Sequence, residues 1–382
     1  MNEIFDFDEI VERGNSDSVK WDKYAGRDIL PMWVADSDFR VAPPIQQALS
    51  RRAEHGIFGY THVPERLIEV IVERMQRLYD WEIKPSWLMW LPGVVGGLHL
   101  ACRSNGEPGD GVYTPAVIYP PFSKAPALCA RLNRPMPMRL QQQRMVIDLD
   151  WLAAEESKPG SVLMFCNPQN PGGAIYREDE LSRLARIAEQ QDLIVCSDEV
   201  HCDLLLDEGK RHIPIASLNE DIAQRSVTLM APSKTFNLAG LSCAFAIVPN
   251  RELRQRMRRA AEGIVPYVNA MGYSATLAAY QSCDEWNRQQ CNYLAANRDY
   301  LLEQINSIDG LSLNPIEATY LAWINVSALR LDKPMQFFEE AGVGFSPGVD
   351  FGDADYLRLN FACPRSRLEE AVARIRKAIA QL

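Results

Sequence analysis

Ala231-Pro-Ser-Lys-Thr-Phe-Asn-Leu-Ala-Gly-Leu241 follows directly on the apolar run Val227 to Met230, so Lys234 stands where a buried strand would end. In open α/β sheets the carboxyl ends of the strands border the ligand crevice. An amine placed there can be desolvated, and the neutral amine is the form that attacks a carbonyl to make a Schiff base. One lysine after a strand is ordinarily a solvated loop residue, so the assignment depends on its neighbours.

Two further apolar runs end in the same way. Val162-Leu-Met-Phe165 leads into Cys-Asn-Pro-Gln-Asn-Pro-Gly-Gly (166 to 173), and Leu193-Ile-Val-Cys196 leads into Ser-Asp-Glu-Val-His (197 to 201). Short runs of bulky residues closed by turn formers mark strands buried on both faces. Between them the apolar positions 181, 184, 185 and 188 form an i, i+3, i+4, i+7 stripe, which predicts a crossover helix over 178–191. Strand, helix, strand and the Lys234 strand together predict an α/β fold with a mostly parallel central sheet flanked by helices. Asn170, Asp198 and Lys234 would then meet at one edge. A carboxylate at 198 would keep a pyridine-type ring nitrogen protonated and so strengthen an electron sink, while Asn170 and His201 would reach the ring's phenolic oxygen. Taken singly, Asp198 also suits a turn or cap and His201 an ordinary interior histidine.

The ordered motifs Asn-Pro-x-Asn-Pro-x-Gly, Asp-Glu-x-His and Ser-Lys-Thr-Phe resemble those of pyridoxal-phosphate (PLP) enzymes of the aspartate-aminotransferase fold, fold type I. Trp33 to Phe39, His55 to Thr61, Leu91 to Leu98, Tyr119 to Phe122 and Arg358 to Arg365 narrow the resemblance to the MalY/PatB-type carbon–sulfur β-lyases, the cystathionine β-lyases. It spans nearly the whole chain. The resemblance implies a large PLP-binding domain over 46–274 and a smaller α+β domain made of 1–45 with 275–382. It makes Lys234 the Schiff-base lysine, Asp198 the ring-nitrogen partner, Asn170 and His201 the groups at the phenolic oxygen, and Tyr119 the ring-stacking residue beside the substrate. It makes Arg358 the substrate-carboxylate ligand, a role for which a planar guanidinium fork is suited. It also places Tyr60 on the phosphate of a neighbouring subunit, which implies a homodimer with a shared active site.

Val94 and Val95 open an expected helix, Gly96 to Cys102, whose free N–H groups would hold the phosphate. Many fold-type-I transaminases carry a serine three residues before the lysine and an arginine eight after it. This chain has Ala231 and Ser242 there. Ser233, Ser242 and the helix start near Val94 are therefore the expected phosphate donors. The residues alone support a PLP enzyme acting on an amino acid. Loss of a thiolate from Cβ gives a lyase, and reprotonation without loss gives an aminotransferase; the resemblance favours the lyase. A non-enzymatic regulator that uses the same fold is a third class, with no residue that supports it.

With 382 residues, 47% of them hydrophobic, the chain can build a core larger than one ordinary domain. The acidic start and the lack of a long apolar stretch predict no secretory signal and no membrane span. Nine unpaired-looking cysteines suggest a cytoplasmic protein, and a net charge of −10 argues against nucleic acid as a partner. Asp-Glu-Val-His-Cys-Asp (198 to 203) lacks a second ligand cluster, so no metal is expected. The five arginines of 251 to 259 are expected on the solvated face of a helix that turns Leu253 and Met257 inward. Further helices are expected from Pro43-Pro44 to a stop near Gly56, from Pro64 to Tyr79, and after a capping box of Ser366 with Glu369.

Overall fold

The computed structural model describes residues 4–382; residues 1–3, the beginning of the acidic start, lie outside the described residues. Seven strands make the main sheet: β1 (Leu88–Leu91), β2 (Gly111–Pro115), β3 (Leu132–Met136), β4 (Val162–Cys166), β5 (Ile194–Asp198), β6 (Ser226–Met230) and β7 (Ala244–Ile247). Their order is β1-β7-β6-β5-β4-β2-β3. Only β7 runs against the others, pairing antiparallel with both β1 and β6. Every residue of β4 and of β6 is buried, as continuous apolar runs between two helical layers must be.

The expected crossover helix is Glu178–Gln190, and it buries Leu181, Leu184, Ala185 and Ala188. The phosphate-side helix is longer than expected. It runs from Val94 to Ser104, with Gly93 as an N-cap that offers no side-chain hydrogen bond. Pro43–His55 ends at Gly56, whose φ of 71° is the left-handed stop that glycine adopts at no steric cost. Glu65–Tyr79 buries Leu67, Ile71 and Met75.

A second sheet, antiparallel throughout, has the order β8-β9-β11-β10, with β8 (Ser312–Leu313), β9 (Leu321–Asn325), β10 (Ser346–Pro347) and β11 (Tyr356–Asn360). Leu30–Pro31 pairs in parallel with Val343–Gly344, which ties the N-terminal segment to this side of the molecule.

Two expectations need correction. The helix Arg365–Ile379 begins before Ser366 and has Pro364 as its N-cap without a side-chain bond, so Ser366 and Glu369 form no capping box. Proline has already fixed the entry at 364, which leaves Ser366 inside the first turn where it cannot cap. In Arg251–Ala261, Leu253 and Met257 are buried as expected, but Arg254 is buried with them and donates to the Val248 and Pro249 carbonyls. Its long stem lets it lie along the core while its head finds backbone oxygens.

Gly352 sits at the junction of the two sheets with φ of 103°, and a Cβ there would stand 2.2 Å from the Ala116 carbonyl oxygen. Gly352→Ala is therefore expected to destabilise the fold by about 2 kcal/mol or more, read as a lower midpoint in denaturant unfolding.

Candidate active site

The C-terminal ends of five parallel strands deliver the site. After β1 comes the Gly93 N-cap, after β2 Tyr119, after β4 Asn170, at the end of β5 Asp198 and then His201, and after β6 Ser233 and Lys234. Cys166 pairs with Asp198, and Asp198 with Leu229, so these three ends lie level. The second sheet adds Arg358 from β11. All of these, with Val94 and Val95, line one cavity of about 220 Å³.

Burial sets the electrostatics. Lys234 is half-buried in the cavity wall, and desolvation, helped by the Arg358 charge, lowers its pKa to about 8. The Nζ donates to the Ala35 carbonyl at 2.7 Å. Asp198 is pushed up to about 6 by burial, against a bond from the Val200 N–H at 3.1 Å and the attraction of Lys234. His201 is pulled down to about 3 by burial and by the Lys234 and Arg358 charges, so it is a neutral imidazole at physiological pH. Its Nδ1 is buried without a hydrogen-bond partner.

Arg358 falls to about 10 because it is buried. It donates to Asn170 Oδ1 and the Trp33 carbonyl, both at 3.0 Å, and to Ser346 Oγ at 3.3 Å; its carbon lies 4.5 Å from the centre of the Phe351 ring. Its Nε has no partner, and it forms no salt bridge among the described residues. A buried cation with neutral partners favours an anionic ligand.

Every expected site residue except one lines this cavity. Tyr60 is fully exposed and lies instead in a surface groove of about 710 Å³ with Phe58 and Tyr267. Ala231 and Ser242 line the cavity too, so the cup beside Val94 offers hydroxyl and N–H donors without an arginine. The fit to PLP is good at the level of donors. There is an uncapped helix start for a phosphate, a buried carboxylate for a ring nitrogen, an amide and an unpaired histidine for a phenolic oxygen, and a desolvated amine for an aldehyde.

The family of class I and II aminotransferases matches residues 34–375. The chain belongs to this family. Cystathionine beta-lyase PatB of Bacillus subtilis is 34% identical over 98% of this chain and 99% of its own length. Among solved structures, that of OvoB is 48% identical with a TM-score of 0.95, covering 99% of this chain and 100% of that one. Cystalysin from Treponema denticola, whose structure contains pyridoxal 5'-phosphate, is 30% identical with a TM-score of 0.94, covering 99% of this chain and all of that one. The family relation accords with the mostly parallel sheet and its flanking helices. Among the described residues there is no candidate metal cluster and no helix long and apolar enough to cross a membrane, and all nine cysteines are free.

Sequence reading missed the part played by residues 33 to 37. Their motif was visible, but nothing in it names a backbone oxygen as the partner of Lys234 or Arg358. Tyr320, whose hydroxyl shares the Ala35 carbonyl at 3.2 Å, was missed for the same reason.

With its amine near 8, cofactor-free protein is expected to capture an aldehyde at Lys234 at a rate that rises about tenfold per pH unit and levels off above about pH 8. Reductive trapping with mass spectrometry at a series of pH values checks this; a rise continuing to pH 10 would show a solvated lysine.

Proposed function

We propose that the protein is a PLP-dependent carbon–sulfur β-lyase that cleaves cystathionine or a related cysteine thioether to a thiol, pyruvate and ammonia. The observation that carries this reading is the convergence of a desolvated amine, a buried carboxylate and a counter-ion-free arginine in one cavity, in a chain related over its whole length to PatB. PLP, when bound, supplies an aldehyde for Lys234 and an electron-withdrawing ring that takes up the charge left at the substrate Cα.

The chain's residues do the rest. Arg358 takes the substrate carboxylate in exchange for its neutral partners, which fixes Cα between Tyr119 and Lys234. Tyr119 caps the helix Pro120–Leu128, is partly exposed, and has its hydroxyl pKa raised by burial, so it offers a neutral phenol at the cavity mouth. Lys234 would accept the Cα proton on its Nζ. It is suited to this because its pKa of about 8 lies near the working pH. The electron pair of the Cα–H bond forms the Cα–Cβ double bond, the Cβ–S pair leaves on sulfur as thiolate, and one water completes hydrolysis of the unsaturated product to pyruvate and ammonium. Asp198 would pair with the ring nitrogen of PLP, Asn170 and His201 would reach its phenolic oxygen, and Val94, Val95 and Ser233 would hold its phosphate.

Among the described residues, Lys234 and Arg358 are the cations of the cavity lining. The single guanidinium there suits the one carboxylate beside the substrate's reacting amine. We further infer a homodimer in which Tyr60 serves the partner's phosphate, a division into units 46–274 and 1–45 with 275–382, and a cytoplasmic location. The first is supported by the exposed Phe58, Tyr60 and Tyr267, the last by nine free thiols.

Incubation of the cofactor-loaded protein with cystathionine is expected to release pyruvate and a thiol with no keto acid added. Pyruvate that appears only after a keto acid is supplied would favour the aminotransferase. Lys234→Ala is expected to lose the visible band of the lysine–cofactor linkage, and Arg358→Ala to raise KM roughly a hundredfold through loss of a bidentate ion pair. Mixing inactive Lys234→Ala with inactive Tyr60→Ala is expected to restore about a quarter of the sites, because each mixed dimer holds one intact site. No recovery after subunit exchange would argue against the shared site.

A further inference from the structure

Residues 33–39 pass between the two sheets as a strap whose backbone oxygens are used almost without a break. Trp33 O accepts from Arg358 Nη2 at 3.0 Å and from Ser346 Oγ at 2.7 Å. Val34 O and Asp36 O both accept from Asn360 Nδ2, at 2.7 and 2.6 Å. Ala35 O accepts from Lys234 Nζ at 2.7 Å. Ser37 O and Phe39 O accept from Asn237 Nδ2 at 3.0 and 3.3 Å, and Ser37 N donates to Asn237 Oδ1 at 3.2 Å.

Two asparagines therefore grip this strap, each from the same segment as one of the reactive cations. Asn237 follows Lys234 by three residues and adopts φ of 56°, a left-handed conformation that asparagine tolerates and that turns its amide back onto the strap. Asn360 follows Arg358 by two and so lies on the same face of β11. Within the strap, the buried Asp38 carboxylate is held by Arg13 at 2.7 Å and Lys20 at 3.1 Å, and the same two cations donate to Ser37 O at 3.2 Å and Asp36 O at 3.3 Å, respectively.

We propose that Asn237 and Asn360 are positioning residues that act on one common element, the 33–39 strap, and through it keep Lys234 and Arg358 in register. Substrate turnover needs the carboxylate on Arg358 and the Cα proton at Lys234 at the same time. The two cations come from different sheets, and the strap is the backbone that both touch. Releasing either asparagine lets the strap shift, and both cations lose their carbonyl acceptors together. The inference rests on the lyase reading for the roles of Lys234 and Arg358.

A double-mutant cycle on the holoenzyme tests it, with Asn237→Gly, which retains the left-handed backbone, and Asn360→Ser, both neutral changes. Each single variant is expected to lower kcat/KM for cystathionine about tenfold, with kcat and KM both altered, and the double variant to be about as impaired as the worse single one. In cofactor-free protein, Asn360→Ser is also expected to lower the pH midpoint of aldehyde capture at Lys234, a residue it does not touch, because the ammonium loses the Ala35 carbonyl. Multiplied losses of about a hundredfold in the double variant, with kcat alone changed by Asn237→Gly and KM alone by Asn360→Ser, would overturn the proposal. Melting temperatures confirm folding, and Asn360→Gln replaces Asn360→Ser if the latter does not fold. Failure of pyruvate release by the unaltered protein, with the visible cofactor band present, overturns the lyase reading alone. The cycle is then read on the change that L-alanine causes in that band.

Discussion

A reactive amine kept out of water is the constraint that organises this molecule. An exposed lysine is protonated at neutral pH and cannot attack a carbonyl, whereas the Nζ of Lys234 is desolvated to the point where proton loss comes near pH 8. Here that desolvation is supplied at the end of β6, a strand buried on both faces of a mostly parallel sheet between helical layers. The sheet around β6 and the helices over it are thus a condition of the chemistry as well as of stability.

The same burial acts on each charged neighbour in the direction of neutrality. Asp198 rises, His201 falls and Arg358 falls. A site in which every ionisable group is displaced from its ordinary value stores an electrostatic demand that a ligand of complementary charge can meet. In the proposed function a protonated ring nitrogen would answer Asp198, a carboxylate would answer Arg358, and an oxygen acceptor or donor would answer the unpaired His201 nitrogen. Ligand binding then returns desolvation energy already spent in folding the apo protein, which is what preorganisation means in physical terms.

The parts of this arrangement that were legible in the sequence share one property: they follow from local pattern. Apolar runs closed by turn residues located β4, β5 and β6, and the stripe at 181, 184, 185 and 188 located the crossover helix, because strand burial and helix periodicity are written in consecutive residues. Lys234, Asp198 and Asn170 then met at one edge by topology alone. Arg358 and Tyr119 came through family resemblance, since no spacing rule brings position 358 to position 170. What stayed hidden were contacts made by backbone oxygens. The carbonyls of Trp33 and Ala35 carry no side-chain signature, and Tyr320 reaches one of them across 285 positions. The capping box at Ser366 failed for a different reason: a proline two residues earlier had already decided how the helix begins.

Backbone oxygens suit the task that the strap performs. A carboxylate beside Lys234 would form an ion pair and raise its pKa, and one beside Arg358 would compete with the substrate for the guanidinium. A carbonyl orients either cation through a hydrogen bond while leaving its charge uncompensated. Arg358, bound to a carbonyl, an amide and a hydroxyl, therefore keeps its preference for an anion, and Lys234, bound to Ala35 O, keeps its low pKa. Of the strap's two acidic groups, Asp36 does act on Lys234 and opposes the fall in its pKa, but it is itself paired with Arg13 at 3.0 Å. The Asp38 carboxylate pairs with Arg13 and Lys20, so its charge is neutralised by cations other than the two that the strap positions.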